Sequence, residues 1–206
     1  MRNKFLLGAS AALALSVSAA DANAAQIAIF GNNNNASYYG SLGHTVSIVN
    51  NTQLATAGFL DSFDLFVYTR DGYSFGSSLT AAAAANVKSF VDGNIVLLNG
   101  DFQDDIGTTN TNLLFSQVLT YLLSSPKKAY LGEFNGSVAA FSSNANGLSP
   151  IGLVAGIAGP LGGGLGGSNG DVLITAAGLA SPVLTGVAFP YNPDAVEFGA
   201  DVSGVN

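Results

Sequence analysis

The run Asp101-Phe102-Gln103-Asp104-Asp105 carries three carboxylates, and Asp71 stands upstream of it beside Arg70. Carboxylates at that density, joined by amide oxygens, make the hard oxygen donor set that holds Ca²⁺ or Mg²⁺. A bound divalent cation activates water, so Asp71, Asp101, Asp104 and Asp105 support one reading, a metal-assisted hydrolase. The competing account makes them solvated loop acids that cap helices, where aspartate is common. On that account no cofactor is expected.

Other chemistries lack parts. The chain contains no cysteine, which removes thiol nucleophiles and thiolate metal sites. It contains one histidine, His44, and no G-x-S-x-G elbow to pair with it. The loop Asn32-Asn33-Asn34-Asn35 follows Phe30-Gly31 but lacks the spaced glycines of a phosphate-binding turn. Gly166-Gly167-Ser168-Asn169-Gly170-Asp171 resembles a single degenerate calcium-binding repeat, and one copy is not an array. A rim of amides and hydroxyls does suit a neutral glycan, with Tyr38, Tyr39 or Tyr73 as stacking surfaces.

These residues need elements to bring them together. Gln26 to Phe30 is a short apolar run ending at Gly31, the form of a buried parallel strand. Thr45 to Val49, Asp64 to Thr69 and Asn94 to Leu98 read as three further strands. Between them, Ser37 to Leu42, Thr52 to Phe63 and the alanine-rich Ser78 to Val91 read as helices, the last capped by Gly93. Thr111 to Leu123 is another amphipathic helix, stopped before Pro126. The alternation predicts an α/β fold: an open parallel sheet with helices on both faces and right-handed crossovers.

After residue 130 the pattern loosens. Gly132 to Gly147 reads as a further short helix around Val138 to Phe141. Ile151 to Gly170 has nine glycines, one proline and no charge, which predicts a glycine-rich late loop rather than a membrane span. Val172 to Thr175 reads as a late strand, and Pro182 to Gly186 as a turn-rich connection.

In an open parallel sheet, ligands bind in the crevice beyond the carboxyl ends of the strands. That rule collects Asn32, Asn33, Asn34 and Asn35 after the first strand, and Arg70 and Asp71 after the third. It adds Asn99 and Asp101 after the fourth, with Asp104 and Asp105 following. His44, just before the second strand, falls at the other end of the sheet.

The amino-terminal residues read as an export signal. Arg2 and Lys4 precede an uncharged stretch from Phe5 to Ala20, and Ala22-Asn23-Ala24 carries the small-x-small pattern of a cleavage site. The competing reading is a buried amino-terminal helix. The apolar stretch is short for a membrane anchor. The expectation is a signal peptide over 1–24 and a single α/β domain over 25–206, with no stable membrane span after cleavage. The destination is the periplasm or the exterior, in the Gram-negative style. The chain stops at Gly204-Val205-Asn206 without an obvious closing element, so a small sheet and a C-terminally incomplete domain both stay open. The whole chain has a formal charge of −7. Loss of Arg2, Lys4 and Asp21 leaves four basic and twelve acidic residues, a formal charge of −8. Such a surface repels phosphate backbones, so nucleic acid is not an expected partner.

Several segments together resemble the class I glutamine amidotransferase-like superfamily. They are QIAIFGNNNN, Leu42-Gly43-His44-Thr45-Val46, DLFVYT, and Val87 to Asn94 running into IVLLNGD. A vaguer likeness covers SPVLTGVAFPYNP and AVEFGA. The resemblance implies a flavodoxin-like, amidotransferase-like three-layer sandwich. Enzymes of that group carry a cysteine nucleophile on the turn after a central strand, and the matching turn here, Asn99-Gly100-Asp101, has none. The resemblance therefore implies a non-catalytic exported member. The resulting expectation is a binding or structural domain of the cell envelope or extracellular matrix, with a neutral glycan or a cell-surface component as partner. The aspartate-based hydrolase is its alternative.

Overall fold

The computed structural model describes residues 24–31, 34–70, 79–99, 106–134 and 180–188. Five strands form one sheet: β1 (Gln26–Gly31), β2 (Thr45–Ile48), β3 (Leu65–Arg70), β4 (Ile95–Asn99) and β5 (Ala129–Phe134). Four α-helices accompany them: α1 (Asn35–Ser41), α2 (Asn51–Leu54), α3 (Ala81–Phe90) and α4 (Thr109–Leu122). Short 3₁₀ turns occupy Phe59–Ser62 and Pro182–Leu184. All strand pairs are parallel, in the order β2-β1-β3-β5-β4. The expected open parallel α/β sheet is present.

The apolar runs explain which strands lie inside. Leu65, Phe66, Val67 and Tyr68 are all fully buried, so β3 is covered on both faces. β2 is an edge strand, with Thr45 and Ile48 exposed. Alternation along the strands divides the core into two clusters. On one face Ile27, Ile29, Leu65, Val67, Ala129 and Leu131 meet Tyr39 of α1 and Leu114, Phe115, Val118 and Leu122 of α4. On the other, Ala28, Phe30, Phe66, Tyr68 and Tyr130 meet Leu54 of α2, Leu60, and Ala83, Ala84 and Val87 of α3. Each fully buried large side chain contributes about 1.5–3 kcal/mol relative to exposure. The alanines of α3 have a packing reason. Their small side chains face the bulky aromatics of the sheet, so volume is filled without overpacking.

Direction and face change together along the chain. The path moves one way from β1 to β2, and α1 lies on the first face. It moves the other way from β2 to β3 and from β3 to β4, and α2 and α3 lie on the second face. It reverses again from β4 to β5, and α4 returns to the first. All four crossovers thus share one hand, as the twist of parallel strands requires.

Four readings need correction. Thr52 to Phe63 is not one helix. Asn50 and Gln53 form a reciprocal capping box that starts α2, the helix stops at Leu54, and Gly58 at φ +74° turns the chain into Phe59–Ser62. Gly93 is not a left-handed helix cap. A Cβ there would lie 2.9 Å from Lys127 Cβ, so what it supplies is room for the approach to β5. Gly132, Glu133 and Phe134, the first residues of the helix expected from Gly132, instead continue a β-strand over Ala129–Phe134, because they pair with β3 on one side and β4 on the other. Residues 135–147 of that helix lie outside the described residues. Finally, Tyr39 is core rather than a stacking surface: it is fully buried, its ring 6.3 Å from that of Phe115. Residues 1–23 of the expected signal, the expected glycine-rich loop and late strand, and Tyr73 lie outside the described residues. Among the described residues, no helix is long and apolar enough to cross a membrane.

Candidate functional site

The reversal of path locates the candidate crevice at the carboxyl edge of the sheet. The chain leaves β1 toward the first face and β3 toward the second, so the gap beyond their carboxyl ends is the topological switch point. Its floor is tight. Gly31 has φ +109°, and a Cβ there would lie 1.8 Å from the Thr69 carbonyl oxygen. Only glycine lets the end of β1 pass so close to β3.

Beyond Gly31 the chain turns into α1 through Asn34, which is exposed, and Asn35, which is wholly buried. The Asn35 amide Nδ2 donates to the Tyr39 hydroxyl at 3.4 Å. Asn35 therefore belongs to the floor of the crevice, not its rim. Across the same face α4 begins with Thr108 as its N-cap. The Thr108 hydroxyl accepts from the Thr111 amide at 3.4 Å and donates to the Thr111 hydroxyl at 2.9 Å. The Tyr38 hydroxyl donates to the Asn112 carbonyl at 2.6 Å, tying α1 to the first turn of α4. Burial raises the Tyr38 pKa, so this donor keeps its proton.

Asn35, Thr69 and Thr111 are the fully buried polar side chains among the described residues. All three lie on elements that start or end at the carboxyl edge of the sheet. The position of Asn35 is legible from the sequence as a strand-end residue; Thr69 and Thr111 are not among those the strand-end rule collects. Each had a signal. Thr69 is the polar close of an apolar strand, and Thr108-x-x-Thr111 is a helix-start pattern.

The register settles the next positions. Arg70 of β3, Phe134 of β5 and Asn99 of β4 share one row. Because β5 stands between the other two, Arg70 and Asn99 are two strand spacings apart, about 10 Å. The end of β5 is a contributor that the sequence reading missed. Asn32, Asn33, Asp71, Asp101, Asp104 and Asp105 lie outside the described residues, and so does the metal site expected of the four aspartates. Among the described residues, no group of three acids or imidazoles could hold a metal ion.

His44 lies at the opposite, amino edge. Its Nδ1 accepts the Ala25 backbone N–H at 3.2 Å, which leaves Nε2 to carry the proton of the neutral ring. Burial pushes its pKa below the ordinary 6.5. Beside it is a recess of about 410 Å³, lined by Leu42, Leu119 and Leu123 with the hydroxyls of Thr120 and Ser124. Those hydroxyls donate to helix carbonyls, Thr120 to Ser116 at 2.8 Å and Ser124 to Tyr121 at 2.7 Å. Tyr130, fully buried under α3, is held protonated by burial first and by neighbouring Tyr68 second. It supplies no acid or base near neutral pH.

No family model, curated protein or solved structure matches the chain.

Proposed function

We propose that this chain is an exported, non-catalytic binding or structural domain of the cell envelope or extracellular matrix. The observation that carries the reading is the place of His44. The whole chain has one histidine and no cysteine, and that histidine is bonded to the Ala25 amide at the amino edge. The crevice beyond β1 and β3 thus lacks an imidazole base and a thiol, the parts with which such a fold performs acyl transfer. Exposed Asn34 is a neutral amide of the kind that hydrogen-bonds a neutral glycan or a surface component, above the wholly buried Asn35, Thr69 and Thr111.

The finer fold reading is a flavodoxin-like, amidotransferase-like three-layer sandwich with a glycine-rich late loop. The order β2-β1-β3 agrees with the flavodoxin order, and the exchange of β4 and β5 departs from it. Destination and partner follow from the signal-like amino terminus and the acidic charge: periplasm or exterior, and no nucleic acid.

The test applies a neutral glycan array and a hydrolase substrate panel to the same purified protein, with and without Ca²⁺ or Mg²⁺. Glycan binding without turnover is the expected result. Metal-dependent turnover lost in Asp101→Asn would replace this reading with the aspartate-based hydrolase.

A further inference from the structure

The chain enters the folded domain at one peptide bond. Ala24 is exposed, whereas Ala25 is only 6 % exposed. The Ala25 carbonyl accepts from the Thr45 amide at 2.9 Å, so Ala25 already belongs to the ladder between β1 and β2. Its own N–H is the one that donates to His44 Nδ1 at 3.2 Å. The small-x-small pattern Ala22-Asn23-Ala24 ends at the same bond.

We propose that cleavage after Ala24 leaves the new α-amino group of Ala25 docked on His44 Nδ1, making His44 the receptor for the mature amino terminus. The inference rests on the export reading above. Hydrolysis adds the hydroxyl of water to the Ala24 carbonyl carbon and a proton to the Ala25 nitrogen. The carboxylic acid that leaves with the leader gives up its proton, and the amine becomes an ammonium. One ammonium proton keeps the bond to Nδ1, now charge-assisted and about twice as strong as a neutral one.

The surroundings leave room for no more than one positive charge there. The recess beside His44 is lined by leucines and hydroxyls, with no charged side chain among its described residues. One residue along, the Gln26 amide donates to Asp64 Oδ2 at 2.9 Å, and Lys128 pairs with Asp64 Oδ1 at 3.6 Å. Asp64, the carboxylate that meets the chain one residue along from the ammonium, is already engaged by the Gln26 amide and by Lys128. Protonating His44 as well would put two cations in contact. The docked amine thus holds the imidazole neutral with its proton on Nε2.

The test expresses the full chain in a Gram-negative host, identifies the amino-terminal residue by mass spectrometry, and titrates His44 by NMR. The titration is repeated after selective acetylation of the α-amine, which restores an amide N–H to Ala25 without altering the fold. Ala25 at the terminus, and a His44 pKa that rises on acetylation as the like charge is removed, are the expected results. If Ala25 is the terminus but acetylation leaves the His44 titration unchanged, the docking is overturned and the export reading stands. If the leader is retained or the cut lies elsewhere, the export reading or its cleavage site fails, and the docking fails with it.

Discussion

Gly31 and Thr69 meet where β1 and β3 end: a methyl group on Gly31 would sit 1.8 Å from the Thr69 carbonyl oxygen. Gly31→Ala therefore combines a clash with backbone strain at φ +109°. The expected loss is about 3 kcal/mol or more in urea denaturation. Gly43, at φ +92° with nothing within 4 Å, isolates the strain alone. Gly43→Ala should cost only about 1 kcal/mol, and equal losses would show that the close approach at Gly31 does not matter.

Tyr38 and Asn112 join α1 to α4 by a 2.6 Å hydrogen bond. Tyr38→Phe keeps the ring and removes the donor, so it should destabilise the protein by about 1 kcal/mol. Amide exchange should accelerate in α1, which is short and held by this link, while α3 on the other face is unaffected. Unchanged exchange in α1 would rule out the link as its anchor.

The pH dependence of His44 has a definite sign. Its pKa in the fold lies below the ordinary 6.5, because burial disfavours the cation. The unfolded chain takes up a proton near 6.5 that the folded chain refuses until lower pH. The stability present above pH 6.5 is thus lost as pH falls through the folded pKa. As the chain has one histidine, a decline just below pH 6.5 is read against few other titrations. Denaturation midpoints measured across that interval should fall for the natural chain and stay flatter in His44→Gln. Parallel curves would remove His44 as the cause.

Asn110 pins the late segment to α4 at two points. Its Nδ2 donates to the Ala188 carbonyl at 3.2 Å, and its Oδ1 accepts from the Ala188 amide at 2.8 Å. Val187 adds a buried apolar contact to the same cluster. Asn110→Ala should cost about 1–2 kcal/mol, seen first as faster exchange or protease nicking over residues 180–188. Loss of the whole fold at the same rate would mean that the segment is not a separate unit.

Local chemistry determined much of this protein. The β1 to β4 strands follow from short runs rich in branched and aromatic residues, which suit a pleated sheet, buried on both faces at β1 and β3 and half-exposed at the edges β2 and β4. The helices α3 and α4 follow from apolar spacing and from threonine caps at Thr80 and Thr108. Each of these signals sits within about a dozen residues, so the sequence displays it directly.

Tertiary structure decided the rest. Nothing local to Ala129-Tyr130-Leu131 says that β5 slips between β3 and β4, since strand order depends on which crossover fits on which face. That insertion sets Arg70 and Asn99 two strand spacings apart, with Phe134 between them. The Gly31–Thr69 contact, the Tyr38–Asn112 bond and the seating of Ala25 on His44 likewise join residues 19 to 74 positions apart. The amino acids by themselves determined that a parallel sheet would form and that its only histidine would precede β2. Packing of the two faces decided which strand ends became neighbours, because burial of each apolar face acts over the whole sheet rather than along the chain.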